Sequence, residues 1–434
     1  MAEEGRDVLI VGAGLAGATA AGDLGARGLR VTILEGRERV GGRGYFRSFA
    51  GTGEGLDFGG SWITPWQVAI RRLCERHKIK LRPRHRVTER RWYRDGAVHR
   101  DGPTSAADRA AHERVIARIA IDAMLLKKGH AEDEQGRTLL SISLAEYIRR
   151  LDAPPATRDL VGAWWTVSGN GDKALVPAHE FLHSCGYHDG TPDGIIEVWS
   201  DSLEGGVNAL AARMIADSGA RLELNTPVAA LEQGADGVVA RTPDGRRFPA
   251  KAALVATGLN PMAELGFAPA LPADKAGAIG RGHLGSAVKV WAKVAGVGVG
   301  ILATGGGDGL EWMFAERQAS DDGAAMIVGF GVASPGFDPA RPGDVERAFA
   351  RFFPEARLLA FDWHDWIADP FARGAWVASR LGAESDVAAA TWKCCGRLAF
   401  ASSDFASAGA GWFDAAAISG TEAAQEIVQL LRLN

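Results

Sequence analysis

The start of the chain constrains the fold most, because an apolar run, a glycine-rich turn and a second apolar run follow one another closely. The first run, Asp7–Val11, leads directly into the glycine-rich segment Gly12–Gly17. The second run, Val31–Leu34, ends at the acidic residue Glu35. A strand, a turn that opens a helix, and a second strand with an acid at its end indicate a βαβ unit that binds a dinucleotide.

Each glycine of this motif has a physical role in dinucleotide binding. Gly12 permits a tight turn, Gly14 lets the backbone approach a pyrophosphate, and Gly17 lets the helix pack closely on the strand. The free N–H groups at the helix N-terminus face the phosphates. We expect Glu35 to accept a hydrogen bond from the adenosine ribose, and its carboxylate would repel the 2′-phosphate of NADP.

Two further glycine pairs indicate that the ligand is a whole flavin dinucleotide. They stand in Gly41-Gly42-Arg43 and in Asp57-Phe-Gly-Gly-Ser-Trp-Ile63. A backbone that approaches the diphosphate a second time needs such glycines, with an arginine to neutralise the charge of the diphosphate. The alternative explanation is that the two glycine pairs form ordinary surface turns. Both segments resemble motifs of the FAD-dependent amine oxidase family. The resemblance implies FAD contacts from a set of motif residues: Gly42, Arg43, Gly59, Gly60, Ser61 and Trp62.

The C-terminal part of the chain is similar to the closing motif of the same family. A strand pattern from Arg397 ends at Asp404, and a helical pattern begins near Gly411. The resemblance implies that Asp404 contacts the ribityl chain and that the helix N-terminus faces the flavin, where it would stabilise negative charge. It also implies that Trp412 contacts FAD and forms one wall of an aromatic cage for the amine. The alternative for Trp412 is an ordinary core ring.

Segments in the middle of the chain are similar to bacterial members of this family that act on alkaloid amines. They are the run Asp362–Arg380 and the strand pattern around Lys289. The resemblance implies that Lys289 holds a water beside flavin N5, that Trp376 lines the pocket, and that the backbone at Val228 pairs with the adenine. A solvated strand lysine is the alternative for Lys289.

Two positions depart from the pattern of those relatives. Thr166 stands where an asparagine is expected, and Trp312 or Phe314 stands where a pocket tyrosine is expected. We therefore keep Thr166, Trp312 and Phe314 as candidate pocket residues, together with Trp376 and Trp412. The polar contacts for a hydroxypyridine ring are missing from these positions, so that substrate is not carried over.

The fold class expected from these motifs is α/β. A chain of 434 residues exceeds a single core of about 100–200 residues. We predict a Rossmann-like FAD-binding domain of the amine-oxidase type, built from residues 1–80, 203–265 and 391–434. An interleaved α+β substrate-binding domain is predicted from residues 81–202 and 266–390.

The resemblance implies a flavin-dependent amine oxidase. Hydride would pass from the α carbon of the amine to N5 of FAD, the imine would hydrolyse, and O₂ would be reduced to H₂O₂. Residues Lys289, Trp376 and Trp412 are the catalytic candidates. The expected substrate is a small cyclic or aryl-substituted amine, and the alternative is a dehydrogenase that passes electrons to a carrier protein. We expect non-covalent FAD, because no cysteine lies between residues 189 and 393.

Composition excludes several other classes of partner. The net charge is −4, so no basic field attracts nucleic acid, and no run of about 18 apolar residues indicates a membrane span. Four cysteines without metal or disulfide spacing favour the cytoplasm. The basic run from Arg82 to Arg94 precedes a turn at Asp95-Gly96 and is interpreted as a solvated hairpin. A homodimer is compatible with the sequence, which does not fix the oligomeric state.

One motif points to a different chemistry. His179-Glu180-Phe-Leu-His183 matches the HExxH pattern, and Asp189 stands where a third zinc ligand would be. On a helix the two histidines would share one face, with Glu180 as the base of a zinc protease. That reading leaves the three flavin motifs unexplained. A chance match on a helix surface, with no metal, is the preferred interpretation.

Overall fold

The computed structural model describes residues 6–50, 52–133, 135–187, 190, 201–307 and 309–432. The α-helices of this part of the chain are α1 Leu15–Gly25, α2 Val68–Arg76, α3 Arg109–Lys127, α4 Leu144–Arg150, α5 Pro155–Ser168, α6 Ala178–Tyr187, α7 Gly206–Ser218, α8 Ala273–Arg281, α9 Pro342–Phe352 and α10 Phe413–Arg432. None of these helices combines the length and the apolar character that a membrane span requires.

The strands form two large and two small sheets. They are β1 Arg6–Val11, β2 Val31–Leu34, β3 Phe46–Ser48, β4 Gly55–Asp57, β5 Trp62–Ile63, β6 Leu81–Pro83, β7 Glu89–Arg94, β8 Ala97–His99, β9 Asp201–Leu203, β10 Arg221–Glu223, β11 Ala230–Gln233, β12 Val238–Arg241, β13 Arg247–Val255, β14 Gly266–Ala268, β15 Ala287–Ala295, β16 Ile301–Thr304, β17 Leu310–Gln318, β18 Ala325–Val332, β19 Arg357–Trp363 and β20 Leu398–Phe400.

The first large sheet contains the βαβ unit predicted from the N-terminal sequence. Its order is β10-β2-β1-β13-β12-β11-β14, and β20 also pairs with β13. Strand β1 is parallel to both β2 and β13, so that Leu9 lies between Thr32 and Ala253. Helices α1, α7 and α10 cover one face of this sheet, and a second apolar cluster that includes Phe248 and Trp392 covers the other face. Burial on both faces explains why its central strands are continuous apolar runs. The predicted α/β class is confirmed.

The second large sheet is mostly antiparallel, in the order β19-β15-β18-β17-β16-β7-β8. The apolar side chains of α9 pack on one of its faces. The other face contributes Trp312 and Phe314 to a core shared with α3–α6, which also contains the buried pair Trp164 and Trp165. The strands of the two large sheets come from separate stretches of sequence, and the division into two discontinuous domains stays a prediction.

The basic hairpin is present, but its arginines are not all solvated as predicted. Asp95 and Gly96 form the turn between β7 and β8, and both have positive φ angles. Arg91 is only 3% exposed, and its guanidinium donates to the Phe352 carbonyl at the end of α9 at 3.1 Å and is paired with Glu355 at 2.7 Å. Arg94 is 8% exposed and is paired with Asp101 at 3.1 Å. Burial of these charges is possible because each has an acidic partner.

Helix α1 approaches β1 closely at Gly17. A Cβ atom at this position would lie 2.1 Å from the Gly12 carbonyl oxygen and 3.2 Å from Ile10 Cγ2. Gly22 lies in the same helix, and a Cβ there would meet no atom within 4 Å. Substitutions at these two glycines therefore distinguish the effect of close packing from the general effect of glycine on helix stability.

We predict opposite effects for Gly17→Ala and Gly22→Ala on thermal stability. Gly17→Ala should lower stability by about 1–3 kcal/mol or prevent folding, because the backbone of the turn at Gly12 must move away from the helix. Gly22→Ala should raise stability by up to ~1 kcal/mol, the usual preference for alanine in a helix. Melting temperatures of the two variants and the wild type test this. Equal effects at the two positions would contradict the close packing of α1 on β1.

Candidate active site

A cavity of about 460 Å³ lies between the two large sheets. The carboxyl ends of four strands of the first sheet open into it, and ligands of parallel sheets bind at such ends. Residues at the ends of β1, β2, β13 and β20 line the cavity, namely Val11, Gly12, Leu34, Glu35, Ala256, Thr257, Ser402 and Ser403. Residues of the second sheet close it from the other side, namely Ala287, Lys289 and Phe330.

Two helix N-termini also face the cavity. Leu15 and Ala16 at the start of α1 line it, as do Phe413 and Ala416 at the start of α10. Helix N-termini carry free N–H groups and a partial positive charge, so both ends favour negatively charged parts of a ligand. The C-terminal helix therefore begins at the cavity, and its contact with a flavin stays a prediction.

The glycines of the first two motifs form the surface that the pyrophosphate would approach. A Cβ at Gly14 would meet only Gly42 Cα, at 3.8 Å, so any larger side chain would extend into the cavity. Gly12 has a φ of +107° and Gly42 a φ of +59°, which are conformations that glycine adopts readily. The backbone around Gly14 and Gly42 therefore fits a bound dinucleotide.

Most of the predicted FAD contacts line the cavity: Gly12, Gly14, Glu35, Gly42, Arg43, Gly59, Gly60, Ser61, Trp62, Val228 and Trp412. Gly17 and Asp404 lie outside its lining. Glu35 accepts hydrogen bonds from Ala13 N at 2.7 Å and Arg37 N at 2.9 Å, which fixes its carboxylate at the end of β2. The contacts of Glu35 with a ribose and of Val228 with an adenine stay predictions.

Asp404 is completely buried and differs from the expected arrangement. One of its carboxylate oxygens pairs with Arg43 Nη2 at 2.5 Å, and the other accepts the Leu259 N–H at 2.9 Å. The neighbouring Ser403 lines the cavity instead, and its hydroxyl accepts a hydrogen bond from Arg43 at 3.0 Å. The Arg43 charge is thus already compensated by Asp404. The contact between Asp404 and a ribityl chain stays a prediction.

Lys289 is buried, so the interpretation as a solvated strand lysine is wrong. Its side chain lines the cavity and is 4% exposed. Its amino group donates to the Asp57 carbonyl at 2.6 Å, the Gly59 carbonyl at 2.8 Å and the Ser61 hydroxyl. Burial lowers the pKa of the Lys289 ammonium, although the buried Asp57 carboxyl opposes this effect. The lysine therefore connects the second large sheet to the glycine segment between β4 and β5.

Aromatic rings form the wall beside Lys289. Trp376, Trp412 and Phe330 line the cavity, and the Phe330 and Trp376 rings pack edge to face at 6.3 Å. Phe330 lies directly opposite Lys289 on the neighbouring strand. The Trp376 carbonyl accepts a hydrogen bond from the buried side chain of Asn170 at 3.1 Å. These contacts fix the loop that carries Trp376.

The other three candidate pocket residues do not line the cavity. Trp312 and Phe314 are fully buried between β17 and the helical core. The Thr166 hydroxyl bonds the Gly162 carbonyl at 3.1 Å and the Glu311 carboxylate, on the side of α5 that faces β17. Val167 and Ser168 at the end of α5 face the cavity instead.

Sequence reasoning missed many of the lining residues, among them Val167, Ser168, Phe330 and Ser403. The signal for Phe330 was present, since it is a large ring in an apolar strand that pairs with the strand of Lys289. The pairing register was the missing information. For Val167 and Ser168 the missing information was the rotation of α5 about its axis, which the sequence around Thr166 does not specify.

The HExxH residues lie on α6, away from the cavity lining. The rings of His179 and His183 are 5.9 Å apart, and Asp189 lies outside the described residues. Glu180 accepts the Ser379 N–H at 2.9 Å and the Ser379 hydroxyl. Within the described part of the chain, no group of three potential metal ligands comes together. Glu180 therefore holds the loop that follows Trp376, and its role in this structure is structural.

Comparisons with known proteins agree with this geometry. Residues 15–428 match the family model of flavin containing amine oxidoreductases. The chain is 32% identical to (S)-6-hydroxynicotine oxidase of Paenarthrobacter nicotinovorans, covering 92% of this chain and 93% of that protein. It is 28% identical to nicotine dehydrogenase of Pseudomonas putida, covering 98% of this chain and 89% of that protein.

Solved structures show the same fold. A structure of wild-type putrescine oxidase bound to putrescine superposes with a TM-score of 0.82 at 23% identity, covering 98% of this chain and 99% of that one. Cyclohexylamine oxidase from Brevibacterium oxydans superposes with a TM-score of 0.79 at 19% identity, covering 99% of this chain and 100% of that one.

We predict that Gly14→Val abolishes dinucleotide binding, because the branched side chain would occupy the space beside Gly42. The matched control is Gly22→Val, since a Cβ at Gly22 would meet no atom within 4 Å. Flavin content is measured in the supernatant after acid precipitation, where all of the flavin should appear if it is bound non-covalently. Normal flavin content in a folded Gly14→Val protein would contradict the assignment of this loop.

We predict that Glu180→Gln stabilises the protein at high pH. Burial raises the pKa of Glu180 to about 7, above its usual value of 4.5. The folded state favours the protonated form of Glu180. The contribution of this residue to the free energy of unfolding is therefore complete at low pH and is lost as the pH rises through 7. The melting temperature of Glu180→Gln relative to wild type should rise from about pH 5 to about pH 8. A difference that does not change with pH would show that Glu180 titrates normally.

Proposed function

The chain belongs to the flavin containing amine oxidoreductases, with FAD as cofactor, and on this premise we propose that it oxidises a small cyclic or aryl-substituted amine. The observation that carries the proposal is one continuous cavity that joins the dinucleotide-binding strand ends to an aromatic wall. Trp376, Trp412 and Phe330 form that wall, and Lys289 lies beside it. Flat or cyclic apolar groups pack well against such rings.

Bound FAD would accept a hydride from the carbon next to the amine nitrogen and would pass the electrons to O₂ as H₂O₂. The protein residues bind and orient the reactants. Helix α1 and the glycines at positions 12, 14 and 42 would hold the diphosphate, and Glu35 would hold the ribose. The apolar rings of the wall, of which Phe330 is buried and Trp376 and Trp412 are half-buried, would exclude water and favour the neutral amine over its ammonium form.

The aromatic wall would also fix the orientation of the amine. A reactant held in reacting geometry gains rate because its translational and rotational freedom is already lost on binding. Trp376 is itself held by the Asn170 side chain and by the edge of the Phe330 ring. Rigid support of this kind lets a ring position a substrate within the small tolerance that the reaction allows.

A second candidate is a dehydrogenase that passes electrons to a carrier protein. It is favoured by the similarity over 98% of this chain to a protein named nicotine dehydrogenase. The two candidates differ only in the electron acceptor. The protein is incubated with a panel of amines that includes cyclic and aryl-substituted ones. With each amine, the production of H₂O₂ in air and the reduction of an artificial electron acceptor are measured. Peroxide at the same rate as amine consumption supports the oxidase, and acceptor reduction without peroxide supports the dehydrogenase.

We predict that Trp376→Ala and Trp412→Ala each slow amine-dependent flavin reduction by about tenfold to a hundredfold, because a wall that orients the amine is lost. Both variants should keep FAD, and their pH profiles should match wild type, since the tryptophan side chain has no group that ionises in the working pH range. Trp66→Ala is the matched control, because Trp66 is 39% exposed and lies outside the cavity lining. The measurement is the rate of flavin bleaching after rapid mixing with amine.

The HExxH histidines provide a second control for the same experiment. His179→Ala and His183→Ala should leave flavin reduction nearly unchanged, because neither residue lines the cavity. If the histidines prove essential and the tryptophans dispensable, the proposed amine site is wrong.

A further inference from the structure

His283 is a buried histidine that lies just outside the lining of the cavity. Its side chain is 1% exposed, and its Nδ1 accepts the Gly285 N–H at 3.0 Å. A neutral imidazole carries one hydrogen, so an Nδ1 that accepts a hydrogen bond leaves that hydrogen on Nε2. The hydrogen bond from Gly285 therefore assigns the Nε2–H tautomer to His283.

The Nε2 atom of His283 lies beside the Asp404 carboxylate. The distance from Nε2 to Asp404 Oδ2 is 3.7 Å, which is too long for a hydrogen bond. Nε2 has no hydrogen-bond partner in the part of the chain that the structure describes. Both groups are buried, and electrostatic interactions between buried groups are stronger than they are in water. The Nε2–H of His283 is therefore available to stabilise the ionised form of Asp404.

Asp404 connects this contact to the cavity through Arg43. Asp404 Oδ1 pairs with Arg43 Nη2 at 2.5 Å, whereas Oδ2 lies on the side of His283. Arg43 lines the cavity and also donates from Nη1 to the Ala375 carbonyl at 2.8 Å. The direction of the Arg43 guanidinium at the cavity therefore depends on the position of the Asp404 carboxylate.

The turn that His283 Nδ1 closes packs on the segment that carries Trp376. The Gly285 carbonyl accepts the Ala375 N–H at 3.0 Å, and the Leu284 N–H donates to the Ala378 carbonyl at 2.8 Å. A Cβ at Gly285 would lie 1.9 Å from the Trp376 carbonyl oxygen, so the two backbones are in direct contact. The bond to Nδ1 therefore holds the backbone against which Trp376 rests.

We propose that His283 is a positioning residue that joins the part of the cavity formed by the dinucleotide motifs to the aromatic wall. Each ring nitrogen serves one side. Nε2–H stabilises the Asp404 carboxylate and thereby the direction of Arg43. Nδ1 holds the turn that supports the segment of Trp376. Because His283 lies outside the cavity lining, it acts only through these two groups.

This arrangement requires the neutral form of the ring. Burial lowers the pKa of His283 to about 4, from its usual value of 6.5. The Asp404 carboxylate opposes this effect and the Arg43 charge adds to it, and these are the charged groups that face the ring. We therefore expect His283 to stay neutral, with its hydrogen on Nε2, from about pH 5 to about pH 9.

Two amide substitutions separate the two ring nitrogens in the FAD-loaded protein. In His283→Asn the side-chain carbonyl can accept the N–H two residues further on, as asparagine does in turns, but no donor reaches Asp404. In His283→Gln the longer side chain can bring an amide N–H to the position of Nε2, but the acceptor at Nδ1 is lost. The backbone of residue 283 stays held in both variants, because the Asn260 amide bonds its N–H at 2.8 Å and its carbonyl at 3.2 Å. His130→Asn is the control, because His130 is exposed.

Two measurements report on the two contacts, and neither needs an amine. The rate of FAD release is followed by flavin fluorescence after dilution, and the backbone hydrogen exchange of residues 375–378 is followed by mass spectrometry. Both measurements can be interpreted even if the amine panel finds no substrate and the proposed function fails.

We expect His283→Asn to release FAD on the order of tenfold faster than wild type, the size of one interaction with a charged group, and to show normal hydrogen exchange. We expect His283→Gln to release FAD as wild type does and to exchange residues 375–378 on the order of tenfold faster, because one hydrogen bond of the supporting turn is lost. His130→Asn should match wild type in both measurements.

Three results would overturn the proposal. The reverse pattern of the two variants would contradict the assignment of the nitrogens, and equal effects or no effects would show that the ring only fills space. If either variant fails to fold, nitrogen NMR of the FAD-loaded wild type with isotope-labelled histidine decides. A neutral Nε2–H ring from about pH 5 to about pH 9 supports the proposal, and an Nδ1–H tautomer or a titration near the ordinary value of about 6.5 contradicts it.

Discussion

The buried amino group of Lys289 is the contact on which the rest of the site depends. Strand β15, which carries it, belongs to the second sheet, whereas its acceptors Asp57, Gly59 and Ser61 belong to the segment that follows the dinucleotide motif. Trp291, on the same strand, also donates to the Asp57 carbonyl, at 2.8 Å. One short turn is therefore held from two points of the opposite sheet, and the two halves of the cavity have a fixed spacing.

This contact contributes more to position than to stability. Removing an ammonium group from water costs several kcal/mol, and this cost offsets much of the attraction between the buried charge and its acceptors. The net gain in stability is therefore small. A buried lysine that lines the cavity beside an aromatic wall is better explained by the charge that it places there.

The sequence specified those parts of the site that depend on local backbone geometry. Gly12, Gly14 and Gly17 have the turn, the open approach and the close packing expected of them, because each requirement arises within a few residues of the motif. Sequence reasoning was less successful where tertiary packing decides which side chain faces the cavity. The side chains of Thr166 and its neighbour Val167 leave α5 in different directions, and only that of Val167 faces the cavity. Which side chain does so depends on how α5 packs on β17.

The most direct test of this account is anaerobic rapid mixing of the FAD-loaded protein with an amine. The account predicts that the visible flavin absorption bleaches in one turnover, at a rate that saturates with amine concentration, because amine and flavin meet in a single cavity. Flavin that is reduced by dithionite but by no amine of a broad cyclic and aryl-substituted panel would contradict it.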